Sequence, residues 1–103
     1  MRRKRSDRNH VVYRVELTDT GDSYIGVTVA LGAAYLRSVK VRVQKHFSRA
    51  KVEDKSWAFC EAIRANPDGN WRYEVLEVVR GRKPAHQRER ELTKQLKANL
   101  NEF

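Results

Sequence analysis

Cysteine, proline and long apolar runs are scarce in this 103-residue chain, and the scarcity excludes several classes of protein. The single cysteine, Cys60, excludes an internal disulfide framework and a zinc site built from several thiolates. No apolar run approaches the roughly 20 residues that a membrane-spanning helix needs. Residues 1–8 are basic but no apolar stretch follows them, so they do not form a secretory signal. We therefore expect a soluble, cytoplasmic protein with no membrane partner.

Acidic residues are also in the minority. The chain has 22 lysines and arginines against 13 aspartates and glutamates, a formal net charge of +9, and the excess is concentrated in residues 2–8, 37–51 and 80–90. Basic clusters attract a polyanion because each neutralised phosphate releases counterions. The charge therefore favours nucleic-acid binding. A merely solubilising surface charge and a ribosome-type structural protein are the alternatives.

The residue pattern predicts one α+β domain over residues 10–103, preceded by a basic arm at residues 1–9. Strands are predicted where β-branched and aromatic residues are dense, at 11–17, 23–29 and 71–79. Helices are predicted where apolar residues recur at spacings of three and four, at 33–50, 54–65 and 85 to about 100. The order ββααβα indicates a small three-stranded antiparallel sheet flanked by about three helices.

The first predicted helix carries an arginine and a histidine four positions apart, Arg42 and His46. Residues at this spacing are neighbours on a helix surface. Both can contact one phosphate, the arginine through its forked donors and the histidine as a second donor or a proton carrier. The alternative is a solvated basic face with a half-buried histidine.

The last predicted helix carries two carboxylates, Glu89 and Glu91. On a helical wheel Glu89 lies about 40° from the centre of the buried side and Glu91 about 120° from it, so only Glu89 points inward. An inward carboxylate needs a cationic partner or a metal ion. A lone carboxylate with several waters is a common Mg²⁺ site, whereas an Arg–Glu ion pair is the alternative.

These residues, in this order, resemble the GIY-YIG endonuclease superfamily, which includes phage homing endonucleases and the nuclease module of UvrC. The resemblance is carried by Val11-Val12-Tyr13, Tyr24-Ile25-Gly26, Arg42 with His46-Phe47, and Glu89 followed by Leu92, Lys94 and Leu96. The two motif tyrosines are 11 positions apart, as is usual in the family. The first motif has Val-Val-Tyr instead of Gly-Ile-Tyr, and the stretch from Gly26 to Arg42 is longer than the family's usual gap. Without the resemblance, strand tyrosines are ordinarily packing residues.

The resemblance implies a divalent-metal-dependent DNA endonuclease that hydrolyses phosphodiester bonds. Glu89 would bind Mg²⁺ or Mn²⁺, and Arg42 would stabilise charge on the phosphoryl oxygens. Tyr13 would deprotonate or orient the attacking water, which requires neighbouring cations to lower its pKa. Tyr24 would position Tyr13, and His46 would donate to the phosphate or relay a proton.

The remaining expectations concern the backbone and the DNA. Gly26 is expected to permit close approach of backbone at a strand end. Basic residues expected to contact DNA are Arg2, Arg3, Lys4, Arg5, Arg37, Lys45, Arg49 and Lys55. The chain ends soon after the motifs, so we expect weak sequence specificity, structure-selective cutting, or targeting through a homodimer or an accessory protein. A compact nuclease of this kind suits a phage or mobile element. A catalytically inactive DNA- or RNA-binding module on the same scaffold is the alternative function.

Overall fold

The computed structural model describes residues 8–30, 32–52, 58–66 and 68–101. Within them lie β1 (Asn9–Leu17), β2 (Asp22–Val29), α1 (Tyr35–Val52), α2 (Ala58–Ala65), β3 (Trp71–Arg80) and α3 (Arg82–Gln95). The strands form an antiparallel sheet in the order β2-β1-β3. The predicted α+β class, element order and three-stranded sheet are therefore confirmed. The basic arm at residues 1–7 lies outside the described residues, and β1 begins at Asn9, which was assigned to that arm.

The central strand β1 sets the register of the sheet. Tyr13 lies opposite Gly26 on β2, in the hairpin that the turn residues predicted. On the other side Val12 pairs with Glu77 and Tyr13 pairs with Val75, so Leu76 is an extra residue in a β-bulge. The bulge changes the register of β3 next to Tyr13.

Alternating residues of β1 contribute to two apolar clusters. Val11, Tyr13 and Val15 pack with residues of α1 and α2, whereas Val12 packs with Ile25 of β2 and residues from the C-terminal part of the chain. This alternation is the period-two pattern of a strand with both faces covered. The sheet thus lies between α1 with α2 on one side and α3 on the other.

The helices α1 and α2 bury narrow apolar stripes. Val39 and Val43 of α1 are buried, but Leu36, expected in the same stripe, is the second residue of the helix and is 46% exposed. In α2, Phe59 and Cys60 are buried. Cys60 is a core residue, as expected. The structure describes no residue from 53 to 57, where α2 was predicted to begin.

The last helix begins and ends earlier than predicted. Pro84 falls in the first turn of α3, where the missing N–H costs no helical hydrogen bond. The helix ends because Lys97 has a left-handed φ of 53°, and the Ala98 N–H donates to the Thr93 carbonyl at 3.1 Å. A lysine in place of the usual glycine at this position gave no sequence signal for the end.

The segment after α3 covers the outer edge of β2. The Leu100 N–H donates to the Ser23 carbonyl at 2.9 Å. The Asn101 side chain accepts from the Ile25 N–H at 2.7 Å and donates to the Ile25 carbonyl at 2.6 Å. These bonds satisfy edge groups that would otherwise be open to another strand.

Within the part of the chain that the structure describes, every helix is too short or too polar to cross a membrane.

Candidate active site

The site is centred on Tyr13, whose side chain is 1% exposed in the middle of β1. A Cβ on Gly26 would lie 2.5 Å from the Tyr13 hydroxyl oxygen, 2.6 Å from Cζ of the same ring and 2.9 Å from Cε1 of Tyr24. Real Cβ atoms essentially never make such short contacts, so any side chain at position 26 would force the tyrosine rings to move. The close approach expected at Gly26 is made by the two tyrosine rings and not by backbone.

Tyr24 is fixed by aromatic packing. Its ring stacks on Phe59 of α2 with centroids 4.2 Å apart and an angle of 7° between the rings. The Tyr13 and Tyr24 centroids are 6.4 Å apart and the rings are inclined by 53°. Such pairs add about 0.5–1.5 kcal/mol beyond the area that they bury. The two tyrosines are therefore packed and held in one arrangement.

Arg42 of α1 reaches this tyrosine pair. The guanidinium lies beside the Tyr13 hydroxyl and acts electrostatically on both rings, and the residue is half-buried. Because Val39 and Val43 face the core, Arg42 emerges at the edge of the buried stripe. A guanidinium in this position presents forked donors to the space in front of the tyrosines.

Burial raises the pKa of both tyrosines. For Tyr13 desolvation is the largest cause, followed by the neighbouring Tyr24, and Arg42 offsets only part of the increase. Burial, followed by Glu89, raises the pKa of Tyr24 to about 12. The pKa of Tyr13 moves in the opposite direction from the one that a base near neutral pH requires. We therefore assign Tyr13 no role as the base: as a neutral phenol it can orient water or Arg42.

The inward carboxylate is Glu89, as predicted. Its side chain is 13% exposed, against 46% for Glu91 on the same helix. Burial raises the pKa of Glu89, while the His86 imidazole, 3.7 Å away, and Arg90 offset the increase in part. The Glu89 carboxylate also raises the pKa of both tyrosines, which places it in the same electrostatic cluster.

Four of the five predicted catalytic residues are thus brought together from β1, β2, α1 and α3: Tyr13, Tyr24, Arg42 and Glu89. His46 lies on α1, one turn after Arg42, but the structure does not describe its side chain. The convergence of residues far apart in sequence is the main geometric feature of the site.

Beside this cluster is a cleft of about 410 Å³. Its lining consists of His10, Val27, Thr28, Val29, Arg42, Arg82 and His86. The residues that sequence reasoning missed are His10, Arg82 and His86. The spacing of three from His86 to Glu89 on a helix was a usable signal. His10 gave none, because it precedes the stretch that predicted β1.

His10 is held in one tautomer. The residue is 4% exposed, and its Nδ1–H donates to the Arg8 carbonyl at 2.7 Å. The same carbonyl accepts from the Gly81 N–H at 3.1 Å, which links His10 to the start of α3. Because Nδ1 carries the proton, Nε2 of the neutral ring is left as an acceptor.

The described residues contain no group of three or more His, Cys, Asp and Glu side chains able to hold a metal ion. Glu89 alone still fits Mg²⁺, which binds through one or two carboxylates and keeps several waters. Of the residues expected to contact DNA, Arg37 and Lys45 are exposed on α1. Arg2, Arg3, Lys4, Arg5, Lys55 and the side chain of Arg49 lie outside the described part of the chain.

Comparison of the chain with protein-family models, curated proteins and solved structures finds no match in any of the three.

Proposed function

We propose that this protein is a metal-dependent DNA endonuclease of the GIY-YIG type, which hydrolyses phosphodiester bonds by nicking or by double-strand cleavage. The observation that supports the proposal is the convergence of Tyr13, Tyr24, Arg42 and Glu89 from four separate elements beside a cleft. A core built only for stability gains little from an arginine and a half-paired carboxylate next to buried phenols.

Glu89 is the residue that would hold Mg²⁺ or Mn²⁺. Its carboxylate is largely buried, and its raised pKa means that its present neighbours compensate its charge incompletely. A bound divalent cation would supply the positive charge that the Glu89 carboxylate lacks. When bound, it supplies Lewis-acid polarisation of the phosphate and stabilisation of the leaving oxygen.

Arg42 is placed to bind the nonbridging phosphate oxygens and to stabilise the charge that they gain in the transition state. The neutral Tyr13 phenol holds the guanidinium on the side of the cleft, and Tyr24 holds Tyr13 through ring packing. Gly26 allows both rings to lie there. His46, four residues after Arg42, is assigned the secondary role of a phosphate donor.

A different residue must accept the proton of the attacking water, because Tyr13 is held neutral. His10 meets the requirements: it lines the same cleft as Arg42, and its Nε2 is an acceptor. An imidazole accepts and releases protons near neutral pH, and a positioned general base contributes about 10²–10⁴ in rate. We assign His10 to this role within the proposal.

Cleavage of supercoiled plasmid in the presence of Mg²⁺ or Mn²⁺, but not of EDTA, tests the function. An inactive DNA- or RNA-binding module predicts binding without cleavage under every one of these conditions.

A further inference from the structure

The outward face of α3 carries a second, larger groove of about 970 Å³. Four cationic side chains line it: Arg82, Lys83, Arg90 and Lys94. All four are exposed, and within the described part of the chain none forms a salt bridge. The single acidic residue that lines the groove, Glu91, accepts a hydrogen bond from Arg88 Nη1 at 2.9 Å. The groove therefore carries an excess of positive charge, although Arg90 also interacts electrostatically with Glu89.

The cations are arranged in a line along the helix. Lys83, Arg90 and Lys94 are separated by seven and four positions, which places them on one face of α3. At 1.5 Å per residue the line is about 16 Å long. Duplex DNA carries one charge per roughly 1.7 Å of axis, so a line of this length meets several phosphates.

The groove adjoins the cleft of the candidate active site. Arg82 and His86 line both the groove and the cleft, where Arg42 is also found. A nucleic-acid backbone bound along α3 would therefore also pass close to the cluster around Glu89. Exposed cations far from the site would not have this property.

We propose that the groove on α3 binds the phosphate backbone of the DNA that flanks the cleaved bond, an inference that rests on the proposed function. The sequence showed a basic cluster at residues 80–90 but singled out no residue of α3 as a DNA contact, and it gave no groove along this helix. The groove contacts phosphates and not base edges, so it adds affinity without sequence specificity.

The test measures the salt dependence of binding to a fluorescent DNA duplex in EDTA, where cleavage does not interfere. A double variant, Arg90→Gln with Lys94→Gln, is expected to reduce the slope of log K against log salt by about 1.8 and to weaken binding about tenfold near 0.1 M salt. The double variant Arg72→Gln with Lys97→Gln is the control for the loss of two charges, because both residues are exposed and lie outside the groove. Its slope is expected to change by less than about 0.5. Circular dichroism and thermal unfolding check that the variants fold.

An unchanged slope in Arg90→Gln with Lys94→Gln, or an equal loss in Arg72→Gln with Lys97→Gln, would overturn the inference. Binding that depends on the groove, in a protein that cleaves no DNA, would support the groove while rejecting the nuclease. If the protein cleaves DNA but its DNA binding does not depend on Arg90 and Lys94, the proposed role of the groove is wrong and the nuclease proposal still stands.

Discussion

The Tyr13 hydroxyl lies 2.5 Å from the point where a Cβ on Gly26 would be, across the β1–β2 pair. The absence of a side chain at position 26 is therefore what allows a large phenol to be buried between the strands. Because the contact joins two strands, it couples the stability of the hairpin to the geometry of the site.

Gly26→Ala is expected to destabilise the protein by about 1–3 kcal/mol, because the new methyl group forces the tyrosine ring to move. It should also lower DNA cleavage, since the ring supports Arg42. Chemical denaturation and plasmid cleavage measure the two effects. The double variant Gly26→Ala with Tyr13→Leu should lose less stability than the sum of the single changes, because leucine removes the atoms that collide. Additive losses would contradict the contact.

The stability of the protein should fall at alkaline pH in a way that depends on Tyr24. An unfolded tyrosine ionises near pH 10, whereas burial raises the pKa of Tyr24 to about 12. Between these values the unfolded state binds fewer protons, so the free energy of unfolding decreases as pH rises, by at most about 1.4 kcal/mol per pH unit for one group. Tyr24→Phe should show a shallower decrease above pH 10 in denaturation curves. Equal slopes for both proteins would refute the assigned burial.

Glu89→Gln should abolish cleavage without destabilising the protein. Burial raises the pKa of this carboxyl, so its charge is unfavourable in the folded state at pH 7, and a neutral amide should increase the free energy of unfolding by about 0.5–2 kcal/mol. The gain should vanish at acid pH, where the carboxyl takes up its proton.

Glu91→Gln is the matched control for Glu89→Gln, because Glu91 is on the same helix and exposed. Loss of its surface ion pair with Arg88 should change stability by less than about 1 kcal/mol. If Glu89→Gln instead lowered the stability clearly, Glu89 would be a structural partner of His86, which is the role that an ordinary ion pair predicts.

His10→Asn should separate catalysis from folding. The asparagine amide can still donate to the Arg8 carbonyl, as Nδ1 does now, but nothing replaces the Nε2 acceptor. We expect kcat to fall about 10²–10⁴-fold with DNA affinity unchanged. A variant that cleaves at the wild-type rate would remove His10 from the mechanism.

The sheet was predictable from sequence because β-branched residues at 11–17 and turn formers at 18–22 specify a hairpin locally. Glu89 was also predictable, since helical periodicity alone separates it from Glu91. The end of α3 was not, because Lys97 takes a backbone conformation that its residue type does not favour.

The arrangement of the side chains in the site could be predicted from the sequence even less. The resemblance pointed to Tyr13 and Gly26. It did not show that the rings of Tyr13 and Tyr24 fill the space at Gly26, because that packing depends on strand register. The high pKa of Tyr13 depends on burial by α1 and α2, and no local pattern encodes it. The role of His10 depends on a hydrogen bond to Arg8 and on the position of α3, both of which are tertiary features.

The cleavage of supercoiled plasmid by wild type, Arg42→Lys, Glu89→Gln and Glu91→Gln proteins addresses the nuclease proposal itself. With Mg²⁺ or Mn²⁺ the wild type and Glu91→Gln should nick the plasmid equally, and EDTA should stop both. Glu89→Gln should be inactive, and Arg42→Lys should lose about 10²-fold or more because lysine keeps the charge without the forked donors. Binding of the plasmid by all four proteins with no cleavage, or equal cleavage by all four, would contradict the assignment of Arg42 and Glu89 as the catalytic pair.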